Sequence, residues 1–144
     1  MVFAVGVVSP DDAYRKDFIT YADILFFSAA NYDDPAPLIH QFMENAPTRI
    51  VISGMGARGC ALGTHGRITY FAPVEYEQPV IDTNGAGDEL AVGFLSSYVL
   101  DGYSLEDSIV RGQIAARHKC TRKADSSHLI SRAKLDAEFA RLKK

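Results

Sequence analysis

An α/β fold built on a mainly parallel sheet, covered on both faces by helices, is what the 144-residue sequence predicts, and three observations carry that expectation. Short apolar runs at residues 24 to 28 and 49 to 53 alternate with stretches of helical periodicity, the pattern of strands buried on both faces. No low-complexity linker or internal repeat divides the chain, so residues 1–144 are expected to form a single domain. A glycine-rich turn, Asp82-Thr83-Asn84-Gly85-Ala86-Gly87-Asp88, lies between a β-rich stretch and a strongly apolar helix. Ligands of open α/β sheets bind beyond the carboxyl ends of strands, where such a turn falls.

The elements follow in order. Residues 2 to 9 read as a strand; the run is too short to span a bilayer, lacks a positive leader and meets Ser9-Pro10, so no signal peptide is inferred. Residues 11 to 21 read as a helix with Asp11 or Asp12 near its cap, 24 to 28 as a strand, and 35 to 45 as a helix opened by Pro35. A strand at 49 to 53 follows, then a strand pair, 60 to 64 and 67 to 71, joined at His65-Gly66. A helix is expected from about Ala86 to Leu100. Ser104-Leu105-Glu106-Asp107 opens another, with Ile109, Ile114 and Ala115 on its apolar side, towards Cys120. Residues 131 to 143 make a last amphipathic helix.

Composition places the chain among ordinary globular proteins, with 47% hydrophobic and 23% charged residues. Arg111, Arg117, His118, Lys119, Arg122 and Lys123 make one region basic, yet the net charge is −3 and no aromatics are interleaved there, which argues against a nucleic-acid partner. Cys60 and Cys120 have neither a CxxC spacing nor a histidine partner at metal spacing, and read as reduced thiols of a cytoplasmic protein. No membrane partner is expected.

The glycine-rich turn has the chemistry of an anion site. Gly85 and Gly87 let a ligand approach the backbone and permit positive φ values that converge successive N–H groups. The helix behind them would aim its unpaired first-turn amides and positive dipole end at the same place. Asp88 would then sit where a bound hydroxyl could meet a transferred phosphoryl group, the position a general base needs. The bland alternative is a hairpin signal at Asn84-Gly85 with Asp88 as a dipole-favoured helix residue. There is no GxxxxGK[ST] sequence, which excludes a P-loop.

The whole string from Asp82 to Asp88 resembles the second signature of the ribokinase-like (PfkB) family of carbohydrate and nucleoside kinases. The resemblance implies that Asp88 deprotonates the acceptor hydroxyl and that the backbone of Gly85, Ala86 and Gly87 forms the anion hole for the γ-phosphate. Upstream, Gly54-Met55-Gly56-Ala57-Arg58-Gly59 is similar to the family's turn along the nucleotide, which assigns Gly54, Gly56, Ala57, Arg58 and Gly59 to nucleotide binding; a tight turn between two strands is the alternative. Asn31-Tyr32-Asp33-Asp34 is similar to the family's Asn-x-x-Glu element, giving Asn31 a place near the nucleotide and Asp34 a water-mediated one near the metal. Asp34 is one methylene shorter than the usual Glu, and Asp33-Asp34-Pro35 is equally a helix start. Gln113 lies where relatives approach the adenine, its alternative being a solvated helix position.

By the same resemblance the cofactors are ATP and Mg2+, with K+ held by carbonyls of Asp82, Asn84 and the loop from Lys119 to His128, although the usual glycine of that loop is absent at Ala124-Asp125. The implied fold is a three-layer, Rossmann-like sheet. The match covers only the family's second half, so the expectation is an ATP-binding, C-terminal part of a sugar or nucleoside kinase, with the first half and its lid missing. Such a piece is expected to be inactive alone and to self-associate through the exposed sheet edge. The alternative function is a nucleotide-binding or interaction module without turnover.

Overall fold

Apolar, β-branched and aromatic runs make the strands that begin the sheet. β1 (Val5–Val8), β2 (Ile24–Ser28) and β3 (Ile50–Gly54) lie parallel, with Val7 opposite Phe26 and Phe26 opposite Ile52. These elements come from a computed structural model that describes residues 5–8, 16–44, 46–123 and 129–144. Parallel neighbours need crossovers, here containing α1 (Lys16–Tyr21) and α2 (Ala36–Met43). Asp11 and Asp12, the expected caps of α1, lie outside the described residues, as do the ends of the first expected strand. After β3 the direction changes. β4 (Cys60–Thr64) pairs antiparallel with β3, and β5 (Arg67–Phe71) antiparallel with β4, so the sheet is mixed, in the order β1-β2-β3-β4-β5. The connections explain this: five residues between β3 and β4, and two between β4 and β5, are too few for a crossover. His65 and Gly66 both have positive φ, 52° and 74°, the conformation a two-residue hairpin needs.

The described chain forms two compact units, Met1–Pro73 and Val74–Lys144. In the first, Leu25, Phe27, Val51 and Ala61 of the sheet pack with Ile39, Phe42 and Met43 of α2. Phe27 and Phe42 meet edge to face at 5.3 Å. Arg49 is buried and gives its guanidinium to three carbonyls, those of Ala22, Phe42 and Thr20, at 2.8 to 2.9 Å.

The second unit is helical: α3 (Ala86–Leu95), a π-helical turn (Ser96–Leu100), α4 (Leu105–Lys119) and α5 (Arg132–Lys143). The helix expected over 86 to 100 is therefore present but widens in its last part. Ser97 donates to the Gly93 carbonyl at 2.8 Å where that change begins. α3 and α4 touch backbone to backbone. A Cβ at Gly93 would lie 2.9 Å from Gly112 Cα, and one at Gly112 would lie 2.8 Å from the Leu90 carbonyl oxygen. The contacts pair Gly93 with Gly112 and Gly85 with Lys119, so the two helices run antiparallel. Ser104 caps α4 by accepting the Asp107 amide at 3.1 Å, as its sequence predicts, and Ser131 caps α5 in the same way through Lys134. Arg111 is buried against the Tyr103 ring at 4.3 Å and donates to Ser97 and Asp136. Residues 74 to 81, without helix or strand, are held to α4 by a 2.7 Å hydrogen bond between the Tyr76 hydroxyl and His118 Nδ1 and by Arg117 donating to the Gln78 carbonyl.

Candidate active site

In the second unit, the turn from Asp82 to Asp88 is built by short-range hydrogen bonds. Asp82 Oδ1 accepts the Asn84 amide at 2.9 Å, and Ala86 donates to the Thr83 carbonyl at 3.2 Å. The amides of Ile81 and Asp82 both donate to the Cys120 carbonyl, which ties the start of the turn to the end of α4. Gly85 then takes a left-handed conformation, φ 80° and ψ 0°, and α3 begins at the next residue. That start agrees with the one read from the sequence.

Gly87 and Asp88 follow in the first helical turn, where amides have no intrahelical acceptor. Ala86, by contrast, already spends its amide inside the turn. A Cβ at Gly87 would meet no atom within 4 Å, so packing does not explain the glycine. Asp88 is exposed beside it. One residue on, Glu89 is buried; burial pushes its carboxyl pKa up, the Lys119 charge opposes this, and Asp88 adds to the rise. The sequence reading missed Glu89. Its signal was the spacing of Glu89, Gly93 and Ser97, four residues apart on the helix face that meets α4. Gln113 of α4 is buried, which removes the solvated alternative for that residue.

The first unit holds the other candidates. The residues from Gly54 to Gly59 turn sharply through a single 3₁₀ turn (Gly56–Arg58), with the Met55 amide on the Gly59 carbonyl at 2.9 Å. Gly56 and Gly59 have φ of 61° and 98°, and a Cβ at Gly59 would lie 2.0 Å from the Phe71 carbonyl oxygen, so there the fold itself demands glycine. The neighbouring loop is tied to this turn. Ala29 donates to the Gly54 carbonyl at 2.7 Å, and the Arg58 guanidinium donates to the carbonyls of Asp33, Tyr32 and Ala29. Arg58 thereby fastens the Asn31 loop, and its side chain is engaged with protein carbonyls.

Asp34 Oδ1 accepts the Ala36 amide at 3.0 Å and the Tyr70 hydroxyl at 2.9 Å, and these two bonds lower its pKa below the ordinary 3.8. The helix-start alternative is the geometry seen. Among the described residues no three His, Cys, Asp or Glu side chains are grouped to hold a metal ion. Residues 124–128, which include Ala124 and Asp125 of the expected cation loop, lie outside the described residues. Among the described residues no helix is long and apolar enough to cross a membrane.

Comparison with known proteins agrees with the resemblance in the sequence. The chain is 35% identical over 130 residues to acarbose 7(IV)-phosphotransferase of an Actinoplanes species, covering 87% of this chain and 43% of that protein. Among solved structures, a microbiome-derived acarbose kinase superposes with a TM-score of 0.84 at 23% identity, over 95% of this chain and 48% of the other. Arabidopsis thaliana ribokinase complexed with ribose and ATP follows at 0.77 and 18%, over 92% and 46%. The Methanocaldococcus jannaschii nucleoside kinase gives 0.75 and 23%, over 94% and 48%. The chain thus spans about half the length of these relatives and has the ribokinase-like α/β fold. The model of the pfkB family carbohydrate kinases matches residues 16–131, and the chain belongs to that family.

Proposed function

We propose that this chain carries the phosphate-binding turn and the catalytic base of an ATP-dependent kinase that phosphorylates a carbohydrate hydroxyl. The observation that carries the reading is the start of α3: a left-handed Gly85, open space above Gly87, and an exposed Asp88 in the first turn. First-turn amides and the helix dipole favour an anion there, and fixed N–H donors stabilise charge developing on phosphoryl oxygens without reorganising. Asp88 accepts the proton of the acceptor hydroxyl as its oxygen attacks the γ-phosphorus; the bond from that phosphorus to the bridging oxygen breaks and ADP leaves. The role of Gly54, Gly56, Ala57 and Gly59 is to let backbone approach the nucleotide, with Arg58 holding Asn31 in place. Gln113 is assigned to the adenine.

Magnesium is expected to arrive on the ATP phosphates, since Mg2+ keeps most of its waters and needs few protein ligands. Asp34 is the carboxylate assigned to its hydration shell, through the oxygen not used by Ala36 and Tyr70. Asp82 and Asn84 are the residues assigned to K+. The 35% identity to an acarbose phosphotransferase favours a carbohydrate acceptor over a nucleoside.

The test pairs two measurements on the wild-type chain and Asp88→Asn. Calorimetry with the Mg2+ complex of AMP-PNP, a non-hydrolysable ATP analogue, should give the same affinity for both. A coupled ADP-release assay over acarbose, ribose, fructose and adenosine, run on the chain joined to the first half of a family member because the piece is expected to be inactive alone, should show acceptor-dependent turnover that Asp88→Asn lowers by about 10² to 10⁴. Nucleotide binding without acceptor-dependent turnover in the joined wild type would instead establish a binding module; equal turnover in the variant would remove Asp88 from the chemistry.

A further inference from the structure

We propose that Lys119, at the end of α4, supplies a positive charge that contacts the phosphate oxygens of the bound nucleotide at the start of α3. The inference rests on the phosphate site proposed above. It begins with packing. The Gly93–Gly112 contact fixes the antiparallel register of α3 and α4. From that contact, seven residues forward along α4 reach Lys119 and seven back along α3 reach Ala86; both steps are about 10 Å at 1.5 Å per residue. The side chains confirm the register: Lys119 Cε lies 3.4 Å from where a Gly85 Cβ would be. The adjoining Cys120 carbonyl, which accepts the Ile81 and Asp82 amides, holds that end of α4 against the turn.

Charge gives the placement its purpose. The first turn of α3 carries two adjacent carboxylates, Asp88 and Glu89. A helix N-terminus offers the equivalent of only about half a positive charge, which two carboxylates outweigh. The antiparallel α4 also brings its own negative end alongside. Beside the Mg2+ expected to arrive on the phosphates, a cation fixed to the protein would offset these carboxylates, and Lys119 is half-buried at the spot, close enough for its charge to act on the Glu89 carboxyl. Lysine suits this role as a compact point charge on a flexible stem. A purely structural account also exists, in which Lys119 complements the α4 dipole, as Arg117 and His118 do. The two accounts predict different things.

The test uses the full 144-residue chain, with Lys119→Gln and Lys119→Arg compared by calorimetry with the Mg2+ complex of AMP-PNP and with adenosine. Lys119→Gln should weaken AMP-PNP binding about tenfold and leave adenosine affinity unchanged, while Lys119→Arg should retain most of the wild-type affinity. Unchanged AMP-PNP binding by a folded Lys119→Gln, or equal loss of both ligands, would overturn the assignment while leaving the phosphate site standing. A wild-type chain that binds adenosine but gains nothing from the triphosphate would overturn the phosphate site and Lys119 together.

Discussion

Replacing Gly87 by alanine should move stability and nucleotide binding in opposite directions. Gly87 is in the second position of α3, in ordinary helical conformation, and an added Cβ meets nothing within 4 Å. Alanine in a helix is favoured over glycine by roughly 0.5–1 kcal/mol, mainly because glycine loses more backbone freedom on folding. In a chain of this size that corresponds to a rise in Tm of about 3 °C. The methyl group would, however, stand over the first-turn amides that the phosphate is proposed to reach. Losing one charge-assisted hydrogen bond there should weaken binding of the AMP-PNP complex by roughly tenfold, about 1.4 kcal/mol. Differential scanning calorimetry and titration calorimetry on the same preparation give both numbers. A variant that melts higher and binds as tightly as wild type would refute the phosphate role; one that melts several degrees lower would show that the fold, and not a ligand, requires the glycine.

Gly112→Ala should behave in the contrary way, lowering stability by about 1–3 kcal/mol in denaturant unfolding, because its Cβ would lie 2.8 Å from a backbone oxygen that cannot rotate aside. Arg49→Leu should cost about 3 kcal/mol by the same measurement, since three carbonyls lose their donor in a buried place. His118 provides the pH dependence. Burial first, then Arg122 and Lys134, hold its folded pKa below the ordinary 6.5. The unfolded state therefore takes up the proton first: the contribution is full above about pH 6.5 and is lost as pH falls through the folded value. The Tm of the wild type should drop more steeply below pH 6.5 than that of His118→Gln, and parallel curves would refute the coupling.

The elements that the sequence foretold are those with local causes. Ser104 and Ser131 cap their helices, His65-Gly66 makes the hairpin, and Gly85 starts α3, because each depends on a few adjacent residues. The candidate turn was legible for the same reason. What depends on distant residues was not. Arg58 has the sequence context of a ligand-facing residue, and only the fold shows carbonyls 25 to 29 residues away taking its hydrogen bonds. Glu89 reads as a surface acid until α4 covers it, and the π-helical widening after Leu95 follows no propensity of Ser96 to Leu100. The reversal of strand direction after β3 was legible at β5 from the short turn, but the sheet as a whole was read as mainly parallel because its first three strands are.

The glycine contact between α3 and α4 acts as a gauge. Helices separated by Leu or Phe side chains sit at a distance that drifts whenever those side chains are exchanged, and catalysis loses orders of magnitude when a group moves by about 1 Å. Here the spacing is set mainly by backbone at Gly93 and Gly112, with only Ala115 Cβ and Leu90 Cδ1 among the nearest side-chain atoms. Sequence change elsewhere in the helical unit can therefore accumulate without shifting Lys119 relative to Gly85. The positions that cannot vary are the two glycines, and a survey of random variants selected only for folding should find them depleted of every larger residue while Val92, exposed on the same helix, varies freely.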